Sequence, residues 1–531
     1  MTAAALPQGR RGGRTERRQV RTTSLAHDKD IVRAGMTGGV YRPLTTPDIE
    51  RINETALRIL ETYGMRDAAP NAQDTLLKGG GRMTEDGRIL ISRKMVERAL
   101  NVACREFEVV GIDGVRKIVL GGARVNFGGN SYTPNVRDLE TREFREPTVT
   151  DLYDLTRLED KLDNLHYVRI PVIARDVAPD EFDINSAYAV ASGTGKPFCL
   201  TVSFVQYVDP VFDMFDMIAG GTGQYAKRPF CLPICVHVVP PLKFATENCF
   251  VIQRMVERGA PVIMYSAGMS GATSPAALAG MLAQSLAETY AGLVWINLLK
   301  PGHPMLFGLS PLAADLRFGS CNMGMAEEAL MQAASAQICQ YLGIPGAQLA
   351  GSTDAKEIDI QAGWERSYGA MAQVLAGSNH IGINAGGYAS NMGMIAESLV
   401  IDNDQIGCVL RILKGIEVSD ESLSFETIGD VIRGEGHFLG HPETMKLMHS
   451  EYYYPEFADR TAIGDWEMAG KPKIEDRARK RVIEILDSNY PRYVDAAVDA
   501  DIRKRFTIRL PVEAMSPGSR RPLVASSMSI A

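Results

Sequence analysis

Between residues 121 and 417 the sequence repeats one pattern eight times, a short apolar run of β character followed by a longer stretch of helical periodicity. The runs are Val125–Gly129, Leu165–Ile170, Pro197–Phe204, Pro229–Val238, Pro261–Ser266, Pro304–Gly308, Gly346–Gly351 and His380–Asn384. Helical spacing of apolar residues fills the intervals, among them Pro210–Ala219, Phe244–Arg258, Ser274–Leu299, Ala326–Leu342 and Ile360–Leu375. Such alternation is the mark of parallel βα units. Eight of them over about 300 residues match the number and size of a closed (β/α)8, or TIM, barrel, with a doubly wound sheet as the alternative. Pro233 lies inside the fourth run and cannot donate to a central ladder, so a bulge or a shifted boundary is expected there.

Four regions follow. Residues 1–37 form a basic arm with six arginines between Arg10 and Arg21, expected to be disordered. Residues 38–120 read as an α/β cap, 121–417 as the barrel, and 418–531 as helices and loops packed on it. In the cap, Thr46 is expected to be the N-cap of a helix with Pro47 in its first position, where a missing N–H costs nothing. Ile49, Ile52, Ala56, Ile59 and Leu60 keep helical spacing behind it.

A formal net charge of -7 argues against a protein whose work is to hold nucleic acid. The most apolar long segment, from Thr273 to Leu299, is broken by Gln284, Glu288 and Asn297 and reads as a buried helix, so no membrane span is expected. The arginine pair of the arm is followed by no apolar run that could make an export signal. The 8 cysteines are scattered without CxxC pairs, as for reduced thiols. A cytoplasmic location is the expectation.

In a barrel of this type the reactive groups gather where the strands end. Asn130, Ser131 and Tyr132 follow the first run, Phe204 ends the third, Tyr265 the fifth and Phe307 falls in the sixth; Asp354 and Lys356 follow the seventh, and Asn384 with Tyr388 the eighth. Aromatic faces in that ring can box a quaternary ammonium cation, which no hydrogen bond can satisfy; the alternative role of each is core filling. Lys356 can anchor a carboxylate or, if buried, act as a base, or it can be a surface lysine paired with Asp359. Cys231, Cys235 and His237 share one face of the fourth run, but residues four apart on a strand stand roughly 13 Å apart, too far for one zinc ion. His437 and His441 lack the acid of a zinc helix, and no phosphate loop is present. No metal and no tightly bound cofactor are expected.

The segment GSTDAKEIDIQAGWE, the stretch SLVIDND from Ser398 to Asp404, the block GHFLGHPETM with EYYYP after it, and TGGVYRPLT near the start together resemble the trimethylamine methyltransferase family. The resemblance implies a TIM barrel that moves a methyl group from a methylated amine to cobalt(I) of a separate corrinoid protein, with cobalamin carried by that partner. It implies pyrrolysine near Asp354–Asp359 in members that use trimethylamine. This chain has only standard residues there, so a small quaternary amine, glycine betaine first, is the expected donor. Trimethylamine, carnitine, proline betaine or a methylated sulfonium are the alternatives, and a non-catalytic betaine-binding barrel is a different class of reading. On this resemblance Tyr132, Phe204, Tyr265, Phe307 and Tyr388 are the pool for the cation site, Asn384 lines it, Asp354, Lys356 and His437 are the catalytic candidates, and Lys356, Arg317 and His437 are candidates for a substrate carboxylate. A homo-oligomer is expected.

Overall fold

The computed structural model describes residues 42–349, 351–448 and 450–518, so the arginine-rich arm lies outside the described residues. Eight strand–helix repeats follow one another in chain order: β1 (Phe127–Gly129), α1 (Val149–Asp160), β2 (Val168–Arg169), α2 (Phe182–Gly193), β3 (Phe198–Cys199), α3 (Val205–Ile218), β4 (Ile234–Val236), α4 (Thr246–Glu257), β5 (Val262–Ser266), α5 (Leu278–Leu299), β6 (Met305–Leu309), α6 (Ala326–Leu342), β7 (Ala347–Leu349), α7 (Ile360–Ala376), β8 (His380–Ala385) and α8 (Ala396–Lys414).

The fold is mixed α/β, and every pairing among these strands is parallel. Three ladders form, β2–β3, β4–β5–β6 and β7–β8–β1. Single bridges join them, Gly128 to Tyr167, Phe198 to Cys231 and Phe307 to Gly346. No one continuous sheet closes on itself among the described residues. Pro233 takes the shifted boundary: β4 starts one residue after it, and its carbonyl accepts from the Ile263 N–H at 2.9 Å.

An inner core is lined by Tyr167, Cys199, Leu232, Ile234, Ile263, Tyr265, Leu306, Ala347, Leu349 and Ile383. A hairpin, Glu106–Val110 with Lys117–Gly121, inserts Val109, Ile118 and Leu120 into the same core. A larger outer core fills the space between strands and helices. α5 is buried on nearly every side because it lies between β5 and β6 and the helices Thr46–Thr62, Pro70–Lys78 and Arg93–Val102. Three of its polar residues are engaged: Gln284 donates to the Thr273 carbonyl at 2.8 Å, Glu288 accepts from Ser266 at 2.6 Å, and Asn297 donates to the Leu293 carbonyl at 2.9 Å. That answers the cost of burying such groups. No helix among the described residues is long and apolar enough to cross a membrane.

The first helix begins one residue earlier than expected, with Thr45 as its N-cap. The reason is Asp48, which stands three residues after Thr45 and closes a capping box with it. At the other end of the chain, Ile474–Ser488 packs on α8 and α1, and Ala496–Arg505 packs on α3.

Candidate active site

Side chains on a strand alternate, so Arg169 shares the inner face with Tyr167, two residues before it. Tyr167 stacks on His380 with ring centroids 4.1 Å apart, and its hydroxyl donates to the Ile381 carbonyl at 2.7 Å and meets His380 Nδ1 at 3.1 Å. The other imidazole nitrogen stands 3.5 Å from the Cys199 thiol. Burial keeps His380 neutral by holding its pKa well down, and it pushes the Cys199 thiol up to about 12. This layer is a floor, packed and chemically quiet.

Above it lie Arg169 from β2 and Tyr265 from β5. Arg169 is 4% exposed, and its Nε and Nη1 have no hydrogen-bond partner. Among the described residues no carboxylate stands within ion-pair distance of it. The Tyr265 hydroxyl is also without a partner; burial raises its pKa, and the nearby charge of Arg169 opposes that rise. Gly308 of β6 pairs with Tyr265, whose ring lies against the bare glycine backbone. Val236 of β4 pairs with Tyr265 on the other side and is 42% exposed, so solvent comes down the strand ends to this level.

The edge of the opening is built by the loops that follow the strands. Tyr132 follows β1, and its hydroxyl accepts from the Thr201 N–H beyond β3 at 2.5 Å. Asn384 is fully buried near the end of β8, just past Ile383, whose φ of 61° marks the irregularity where the register with β1 shifts. Asp354 ties three loops together: it accepts from Met323 N–H at 3.0 Å and from Ser390 Oγ at 2.6 Å. Exposed apolar side chains follow the strand ends, with Phe204 after β3, Val239 after β4, Leu316 and Phe318 after β6, and Met392 after β8.

The model of the trimethylamine methyltransferase (MTTB) family matches residues 10–513. The chain belongs to that family. It is similar to the glycine betaine methyltransferase of Desulfitobacterium hafniense (strain Y51), 28% identical over 466 residues that cover 87% of this chain and 96% of the relative. The trimethylamine methyltransferase MttB2 of Methanosarcina mazei is 30% identical over 487 residues, 90% of this chain and 97% of that one. The crystal structure of the Methanosarcina barkeri monomethylamine methyltransferase (MtmB) aligns over 82% of this chain and 93% of its own with a TM-score of 0.43 and 14% identity.

The expected site residues of this methyltransferase divide into two groups. Tyr132, Tyr265 and Asn384 lie where the strands end or on their inner face, Phe204 is exposed on the edge, and Asp354 holds the loops. The remaining five lie elsewhere. Phe307 faces outward and packs on Tyr290 of α5 at 5.7 Å. Tyr388 is buried under the Arg366 guanidinium at 4.8 Å, its hydroxyl 3.0 Å from Ser398. Arg317 is exposed and bound to Asp315 at 2.7 Å. Lys356 is exposed, with its ammonium on the Asp354 carbonyl at 2.5 Å and not on Asp359. His437 is exposed on the loop between the helices Phe425–Arg433 and Pro442–Leu447, with Glu435 3.6 Å away.

Sequence reasoning passed over Arg169, Tyr167 and His380. The signal for Arg169 was present: one charge inside the apolar run LHYVRIPV, in phase with Tyr167.

Proposed function

We propose that the methyltransferase takes a methyl group from a small quaternary amine, glycine betaine first, and passes it to the cobalt(I) of a corrinoid carried by a partner protein. On this reading the three ladders are one (β/α)8 barrel spanning residues 121–417, with 38–120 as a cap beneath it and 418–531 packed outside. The single bridges between the ladders support that closure, since each links neighbours in the order a barrel requires.

The observation that carries the reading is the chemistry of the inner face at the level of Tyr265. It offers an aromatic ring and solvent access at Val236, but no protein nucleophile: the Cys199 thiol is held protonated by burial and His380 is engaged at both nitrogens. Such a site binds and aims a methyl donor, while the acceptor has to arrive from outside.

When the partner is docked, its corrinoid supplies a strong cobalt(I) nucleophile. A quaternary nitrogen needs no acid to leave, because the electron pair of the breaking C–N bond stays on it and a neutral tertiary amine departs. The work left to this chain is to strip water from the cation, hold one methyl group in line and receive the partner. Tyr265 and Tyr132 suit the first task, ring faces attracting the desolvated cation. The exposed apolar residues Phe204, Val239, Leu316, Phe318 and Met392 suit the last.

The test is an absorbance assay with reduced cob(I)alamin and, separately, glycine betaine, carnitine, proline betaine and trimethylamine. Loss of the cob(I)alamin band and formation of methylcobalamin with a quaternary amine are expected. Turnover with trimethylamine alone would reverse the choice of donor.

A further inference from the structure

The geometry points to Arg169 as the anchor for a carboxylate on the substrate, so that the donor is a zwitterion carrying its quaternary nitrogen and its carboxylate on one small frame. This rests on the quaternary-amine reading above and narrows it.

The argument begins with the cost of the arginine. A guanidinium sunk in an apolar core without a counter-charge is among the most expensive arrangements a fold can keep. Arg169 is sunk in this way, with two of its three nitrogens lacking any partner. Its neighbours on the inner face are Tyr167, whose hydroxyl is committed to Ile381, and Tyr265, whose hydroxyl interacts with Arg169 itself. Across the bare backbone of β1 stands Glu159, which is sensitive to the charges of Lys196 and Arg169, but its two oxygens have no hydrogen-bond partner and burial pushes its carboxyl well above the usual range. Glu159 therefore makes no hydrogen-bonded pair with Arg169.

Space has been left for the arginine to lie in this position. Gly382 faces it from β8, and a β-carbon there would collide with Nη1. The fork of the guanidinium and the Tyr265 hydroxyl together make donors for the two oxygens of one carboxylate, the geometry at which arginine excels. The ring of Tyr265 then stands next to the same ligand's cationic end. Lys356 and Arg317 already hold partners on the surface, whereas the Arg169 Nε and Nη1 have none.

The experiment is calorimetric titration of the full chain with glycine betaine, with choline, which keeps the cation and lacks the carboxylate, and with tert-butylacetate, which keeps the carboxylate and the shape and lacks the cation. Arg169→Met is expected to weaken glycine betaine and tert-butylacetate by about 30-fold or more and to leave choline within about threefold. Its Tm should not fall, because the substitution removes an unpaired charge. Arg169→Lys should restore part of the carboxylate affinity. Carboxylate binding unchanged in Arg169→Met overturns the proposal. On the wild-type chain, tert-butylacetate should raise the Tm and its uncharged amide should not; equal shifts overturn the proposal without any variant. Methyl transfer plays no part in the tert-butylacetate titration, so failure of the quaternary-amine reading and failure of the anchor are told apart.

Discussion

The guanidinium of Arg169 lies where a side chain on Gly382 would stand, so β8 omits a side chain at the point where β2 extends its longest one. Gly382→Ala therefore forces Nη1 and Cζ to move. Overpacking of this kind costs about 1–3 kcal/mol, and the displaced fork can no longer meet a carboxylate squarely. The expected result is a lower Tm together with weaker glycine betaine binding at unchanged choline binding. Unchanged affinity for both would mean that the position of the arginine is irrelevant to the ligand.

Tyr265 separates ring from hydroxyl. Its oxygen meets only Arg169 and makes no well-aligned hydrogen bond, so Tyr265→Phe should shift stability by less than about 1 kcal/mol. Tyr265→Leu removes the ring face, and with it an attraction of about 0.5–2 kcal/mol, so KM for a quaternary amine should rise by a factor of about 2 to 30. Steady-state methyl transfer with both variants decides the matter. A normal KM in Tyr265→Leu would remove the ring from the cation site.

Lys356 and Asp354 form a loop brace. The lysine holds the aspartate's carbonyl, and the carboxylate receives Met323 and Ser390 from the neighbouring loops. Lys356→Met should leave KM for glycine betaine within about threefold, since an exposed charge-assisted contact is worth little. Asp354→Ala should lower the Tm and raise KM together, as loops on three sides lose a shared acceptor. A large rise in KM for Lys356→Met at unchanged Tm would instead move the lysine into the site.

His303 gives the fold an acid limit. Its Nε2 donates to the Ala260 carbonyl at 2.7 Å, and burial holds its pKa down to about 4 from 6.5. The folded chain keeps it neutral while the unfolded chain protonates it below 6.5, so the stability it contributes is full above that pH and is lost as pH falls toward 4. Between about pH 7.5 and about pH 5 the loss is about 2 kcal/mol. Denaturant titrations of wild type and His303→Gln at those two pH values should show the gap between them shrinking by that amount in acid. An equal gap would mean that the imidazole charges freely inside the fold.

Element positions were legible because their signals are local. Ala326–Leu342 carries its own periodicity and a glycine after its last residue, and all eight strands fall in or across the apolar runs read from the sequence. Facing was not legible. A parallel strand covered on both sides is apolar throughout, so MLFGL does not reveal that Phe307 looks outward, nor VIMYS that Tyr265 looks inward. Tyr388 is a related case: it falls after β8 in sequence, but the pairing of Gly387–Tyr388 with Gly393–Met394 turns it back into the wall. Arg169 demanded both the phase of β2 and the knowledge that nothing nearby answers its charge, and only the assembled neighbours supply the second.

The paired glycines of β1 have a wider effect. With no side chain on either face, Gly128 admits the Tyr167 ring from within and Gly129 admits the Glu159 carboxyl from without. At that strand the wall is a single layer of peptide and is electrically thin. The buried helix α1 thus sets a carboxyl group directly behind the strand whose inner side receives the Tyr167 ring, so a change at Glu159 reaches the inner face through one layer of backbone.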